Sequence, residues 1–163
     1  SPGIPTRLLT TTRRLLTTRP CGPTEIFRMA TLSLTEPGGR FSEFVAERHL
    51  AILTLVRSNG RPHSTPVGFT WSSEKGIARV ITWSGSTKVK LLEEGPLLAT
   101  ISQVDGGRWL TVEGVATVTD DLKVCRDAIS AYADRYRPPK DRGDERRVIL
   151  LEATRLLASA NLG

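Results

Sequence analysis

His49-Leu-Ala-Ile-Leu-Thr-Leu-Val-Arg-Ser-Asn-Gly-Arg-Pro-His-Ser-Thr-Pro-Val-Gly-Phe-Thr-Trp71 is the stretch on which the fold turns. His49 to Arg57 reads as a strand, an aliphatic run closed by turn formers. Ser58-Asn-Gly-Arg61 reads as the turn, because Asn59 and Gly60 both tolerate positive φ. Pro62 to Trp71 is then the returning strand, so the local topology is antiparallel. Gly68 interrupts that strand. A glycine in such a place marks a bulge, or a close approach by ligand or backbone.

The same grammar continues downstream. Ser72 to Gly76 is a second turn, leading into a strand from Ile77 to Trp83. Leu97 to Val104, the Asp105-Gly-Gly turn and Arg108 to Val118 form another hairpin, and Val148 to Ala153 reads as the last strand. Helical spacing appears in three places. Phe41, Phe44 and Val45 make a short apolar face with Ser42 near its start as a cap, and Leu91 to Glu94 is amphipathic and ends before Gly95-Pro96. From Asp120, read as a cap, to about Tyr136, the residues Leu122, Cys125, Ile129, Tyr132 and Tyr136 share one face, and Pro138-Pro139 ends the helix. Lys140 to Arg147 reads as a charged loop. Six strands joined mainly by hairpins, with a few helices and no βαβ rhythm, predict a mainly β protein: a closed or partly closed antiparallel barrel.

Composition narrows the class. The chain has 163 residues, enough for one domain with its own core. Residues 1–39 are rich in Thr, Arg and Pro without a sustained period, and read as a disordered or peripheral extension to a domain spanning 40–163. The prefix has the acid-poor, arginine-rich look of a transit peptide, but Met29 is read as the natural start. Residues 1–28 hold five arginines against Glu25 alone, which is +4 of the net charge of +6. Charge gathered in a tail argues against a nucleic-acid module. No apolar run approaches membrane-spanning length. Cys21 and Cys125 lie far apart without metal-ligand spacing, so a reduced, cytoplasmic setting without bound metal is expected.

Chemistry is concentrated in Thr82-Trp-Ser-Gly-Ser-Thr-Lys-Val-Lys90. Hydroxyls, a glycine and two lysines at a strand-to-helix junction suit a phosphate: small residues admit backbone N–H groups, and a helix N-terminus adds partial positive charge. The same residues also read as a polar turn with a solvated lysine face. No hydrolytic constellation is present. His49 and His63 lack a nucleophile motif nearby, and Asp105, Glu113, Asp120 and Asp121 sit at turns and a cap, where acids serve conformation. Trp71, Trp83 and Trp109 read as core or dimer contacts, or as walls around a planar ligand.

Together these blocks resemble the pyridoxamine 5′-phosphate oxidase-like split β-barrel family. The resemblance rests on Asn59-Gly-Arg-Pro-His-Ser-Thr-Pro-Val67, on Thr82 to Lys88, on Glu93-Glu-Gly-Pro96 and on Val112-Glu-Gly-Val115, in that order. It spans about residues 41–161. Further blocks are similar to the branch that uses the deazaflavin coenzyme F420: Val67-Gly-Phe-Thr70, Ile77 to Thr82, Gln103 to Leu110, Tyr132-Ala-Asp-Arg-Tyr-Arg137 and Ser159-Ala-Asn-Leu162. The resemblance implies a six-stranded antiparallel split barrel and a homodimer with cofactor sites at the interface. It implies F420, with FMN the alternative, and hydride transfer to a conjugated acceptor, biliverdin foremost; the other readings are an FMN-dependent oxidase or reductase of the same fold and a flavin- or tetrapyrrole-binding protein without turnover. Lys88 would meet the cofactor phosphate beside Ser86 and Thr87, and Pro66, Val67, Gly68 and Phe69 would offer backbone to the ring. Gln103 and Trp109 would approach the ring from this chain or its partner. Arg137, Arg146 or Arg147 would hold carboxylates of the acceptor. No catalytic side chain is assigned.

Overall fold

The computed structural model describes residues 28–163. Readings for residues 1–27, including Cys21 and half of the excess positive charge, lie outside the described residues. The order is β1 (Met29–Leu32), α1 (Gly39–Ala46), β2 (Ala51–Val56), β3 (Pro62–Val67), β4 (Thr70–Ser72) and β5 (Ile77–Trp83). It continues with α2 (Thr87–Glu93), β6 (Leu97–Asp105), β7 (Arg108–Thr119), α3 (Leu122–Arg135) and β8 (Arg146–Ser159). Short 3-10 turns cover Gly143–Glu145 and Ala160–Leu162.

The strands form one antiparallel sheet in the order β3-β2-β6-β7-β8-β5-β4, with β1 also on β8. This is the expected antiparallel split barrel, built from eight described strands rather than six. Two short strands account for the difference. β1 lies in the segment read as peripheral, and pairs Met29–Leu32 with Ser159–Leu156. Four residues are too few to display a period. The second is β4: the expected strand Pro62–Trp71 breaks at Gly68-Phe69. β3 pairs with β2 as far as Val67 opposite Ala51, whereas Thr70 pairs with Arg79 of β5. Gly68 and Phe69 therefore carry the chain from one edge of the sheet to the other. The split lies there.

Alternation fixes the core. Leu53, Leu55, Ile101, Leu110, Val112, Leu151 and Leu156 point inward and are fully buried, and α1 adds Phe41 and Phe44. Phe41 meets Trp71 edge-on, with ring centroids 6.1 Å apart. α3 lies outside the barrel, where Cys125 and Ala128 pack with Val148, Ile81 and Leu150.

Several boundaries depart from the sequence reading for local reasons. Only Gly60 of the Asn-Gly turn takes positive φ, at 82°, while Asn59 Oδ1 accepts from Arg61 N–H at 3.0 Å. Ser42 is not the cap of α1; Gly38 holds that place, and Ser42 Oγ donates back to the Gly38 carbonyl. Asp121, not Asp120, caps α3 by accepting from Val124 N–H at 2.9 Å. Leu122 then falls in the first turn and is 75% exposed rather than part of the buried face. β8 runs fourteen residues, not six, and takes in Arg146 and Arg147 from the expected loop. Its outward Glu152 and Arg155 broke the apolar alternation that marks a strand.

Candidate functional site

At the split edge the fold opens a cleft of about 550 Å³. One wall is Pro66, Val67 and Gly68, where β3 ends. The floor is Val80 to Trp83 of β5, and the opposite side is Tyr132 of α3 with the segment that follows it, Arg137 to Arg142. Five cations line it, Lys88, Arg137, Lys140, Arg142 and Arg146, and no carboxylate does. Cations gathered without acids in a partly enclosed space favour an anionic ligand.

Lys88 is half-buried at the second position of α2, and burial alone pushes its ammonium below the usual lysine range. Arg146 is more constrained. Its Nη1 donates to the Thr82 carbonyl at 3.3 Å, Nη2 donates to the Lys140 carbonyl, and its buried Nε has no hydrogen-bond partner. Burial, and then the charge of Arg142, press its pKa down. Arg142 lies 5.1 Å above the Trp83 ring, and the ring folds back over the α2 entry turn. There Gly85 has no Cβ, which would stand 2.0 Å from the Trp83 ring.

The structure brings Pro66, Val67, Gly68, Lys88, Arg137 and Arg146 together, and sets the other expected residues elsewhere. Ser86 is occupied as the α2 cap, its Oγ accepting from Val89 N–H and bonding Thr82 Oγ1 at 3.1 Å. Thr87 is exposed beside it, whereas Thr82, buried and bonded to Ser86, is among the residues that line the cleft. Phe69 and Gln103 are fully buried behind the wall. Gln103 Nε2 donates to the Phe44 carbonyl, and its Oε1 accepts from Arg135. Trp109 stands opposite Val104 on the outer face of the sheet, away from the cleft. Arg147 Nη1 is used on the carbonyls of Asp144 and Arg146. Lys140, Arg142 and Tyr132 escaped the sequence reading. Tyr132 had a signal, its place on the α3 face, but periodicity does not say what a face meets.

The fold also assembles a group that spacing could not show. Glu47, His49 and Asp105 bring ligand atoms within 4.8 Å of one another. Arg108 already occupies it, donating to both Glu47 oxygens at 2.6 and 2.9 Å and to Asp105. Those bonds, with one from His49, hold the Glu47 carboxyl at about 2.

The class these features define is a split antiparallel barrel with a cation-lined cleft at its open edge. The sequence pattern of pyridoxamine 5′-phosphate oxidase matches residues 39–159, and the chain belongs to that family. It is 48% identical over 120 residues to the F420H(2)-dependent biliverdin reductase of Mycobacterium tuberculosis (strain CDC 1551 / Oshkosh), covering 73% of this chain and 85% of that protein. Among solved structures, an F420 reductase superposes with a TM-score of 0.58 at 22% identity, over 74% of this chain and 98% of that one. General stress protein 26 from Bacillus anthracis str. Sterne gives 0.55 at 19% identity, over 72% and 88%. These two structures speak to the fold alone. No helix among the described residues is long and apolar enough to cross a membrane.

Proposed function

We propose that this protein is an F420H2-dependent reductase whose acceptor is biliverdin. The observation that carries the reading is the cleft itself: five cations, no acid, and a wall of strand-end backbone at Pro66–Gly68. The residues fit a phosphate-bearing planar cofactor. Lys88 is half-buried without a carboxylate partner among the described residues, so it gains from an anion, and Arg146 lines the same cleft. The 48% identity to a protein named for this activity supports the same assignment.

Reduced deazaflavin, when bound, supplies a hydride from C5. The chain then has to bind, orient and exclude water. Lys88 would hold the phosphate, and the Pro66–Gly68 backbone would face the ring. Arg137 and Arg146 hold the propionates of the acceptor, since guanidinium pairs with carboxylate in a planar fork. Arg147 is turned away and has no part in this. No covalent nucleophile is required, because alignment within near-attack distance is the main contribution. The proton for the pyrrole nitrogen comes from solvent or a neighbouring side chain. The protein acts as a cytoplasmic homodimer, and the apolar outer face of β2 and β6 supports the pairing.

Separate fluorescence titrations with F420 and FMN, followed by turnover with reduced F420 and biliverdin, test the reading. We expect saturable F420 binding and bilirubin absorbance, and no reaction with NADPH alone, since the chain lacks the dinucleotide fingerprint. F420 binding without bilirubin would sink the acceptor but leave the reductase. Tight FMN binding without F420 binding would move the protein to the flavin branch.

A further inference from the structure

Gly68 and Phe69 belong to neither ladder. β3 ends opposite Ala51, and β4 begins opposite Arg79. Main-chain polar groups buried in such a gap must find partners outside the sheet. Phe69 is fully buried, and the last turn of α3 supplies its partners. Phe69 N–H donates to Tyr136 Oη at 3.2 Å, and the Phe69 carbonyl accepts from Arg135 Nη1 at 2.5 Å.

Both side chains also reach the β2 side of the split. Tyr136 Oη donates to the His49 carbonyl at 2.6 Å, and Arg135 Nε donates to the Glu47 carbonyl at 2.9 Å. Arg135 Nη2 donates to Gln103 Oε1 at 2.6 Å, and Gln103 is itself pinned by donating to the Phe44 carbonyl at 3.0 Å. No carboxylate pairs with Arg135 among the described residues; its charge is met by carbonyl dipoles and by the rings of Phe69 and Tyr136, 4.7 and 4.9 Å away. The tyrosine rings close on Gly68, where a Cβ would stand 2.8 Å from Tyr132 and 3.1 Å from Tyr136.

We propose that Arg135, with Tyr136 and Gln103, is a positioning clamp that replaces the missing ladder across the split and fixes the Pro66–Gly68 wall for hydride transfer. The clamp rests on the reductase reading for its catalytic consequence, and on the hydrogen bonds alone for its structural one. Arg137 leaves the same turn and lines the cleft, so one device sets both the wall and a cation facing it. Moving the wall changes the distance between donor and acceptor carbons more than it changes affinity. A misplacement of about 1 Å costs about a hundredfold in rate.

Two variants test the clamp. Arg135→Lys keeps the charge, but an ammonium cannot span acceptors arranged around a planar fork. Tyr136→Phe keeps the ring on Gly68 and removes only the hydroxyl, so it remains informative where Arg135→Lys does not fold. With reduced F420 and biliverdin, kcat should fall about 10–100-fold in each, while the acceptor KM and the F420 Kd stay within about threefold. Leu156→Ala, deep in the core and outside the cleft, is the control for lost stability and should keep its kcat below its melting range. Amide exchange at Phe69, measured without cofactor, should be faster in both clamp variants and unchanged in Leu156→Ala. A kcat within about twofold of wild type in both variants, or unchanged exchange at Phe69, overturns the proposal. If the wild-type protein forms no bilirubin, that counts against the acceptor, and exchange at Phe69 then decides for or against the clamp by itself.

Discussion

At Lys88 the proposed function rests on a single residue. Burial lowers its pKa from the ordinary value, and an anion beside it would restore the charged form's advantage. A charge-assisted hydrogen bond is worth about 1.5–3 kcal/mol, so Lys88→Ala should weaken F420 binding by about 10–150-fold with little change in melting temperature. The pH dependence follows in sign. The depressed ammonium deprotonates earlier, so affinity should decline at a pH below the usual lysine value of about 10.4. Lys88→Arg, whose guanidinium stays charged, should hold its affinity there. An unchanged Kd for Lys88→Ala at moderate salt would remove the residue from the site. The junction was legible because lysine, hydroxyls and glycine follow a strand. The division of labour within it was not: Gly85 makes room for the Trp83 ring and Ser86 caps α2. Both roles depend on side chains folding back over their own turn, which composition does not encode.

At the scale of elements, β7 and β8 are locked by an irregularity. Glu113 pairs with Arg155 and Gly114 with Ala153, which leaves Thr154 as the extra residue of a bulge. The backbone closes so tightly that a Cβ at Gly114 would lie 2.0 Å from the Glu152 carbonyl oxygen. A main-chain atom cannot swing aside as a side chain can. Gly114→Ala should therefore destabilise the protein by at least about 1–3 kcal/mol, which lowers the melting temperature by about 2–4 °C per kcal/mol. Gly39→Ala, in α1 with open space around it, should be neutral or slightly stabilising by the same calorimetry. Equal effects at the two positions would refute the close-approach argument. Hairpins with Asn-Gly or Asp-Gly-Gly turns could be read because their turn chemistry is local. β1 and β4 could not, since strands of four and three residues pair only with what the barrel brings to them. The break at Gly68 was visible as a glycine, but its meaning, the passage from one sheet edge to the other, needed the topology.

Across the whole molecule, the outer face of β2 and β6 is more apolar than a solvated sheet requires. Leu98 and Val104 are 65% and 66% exposed, and Ile52 lies on the same face opposite Ser102. The register that sets Leu55 against Ala99 brings Val56 beside Leu98, so the aliphatics form a patch rather than isolated residues. A self-complementary patch is what a two-fold dimer uses. Trp109 stands opposite Val104 and shares this face, so a second copy docked here would cover that ring. Light scattering of the wild-type protein should report a dimer at micromolar concentration. Leu98→Lys combined with Val104→Glu should give a folded monomer, because both side chains already meet solvent in the single chain. Loss of F420 affinity in that monomer would mean the partner completes the site, and unchanged affinity would confine each cleft to one protomer. A wild-type protein that stays monomeric at every concentration would remove the face as an interface, and with it any role for Trp109 at the ring.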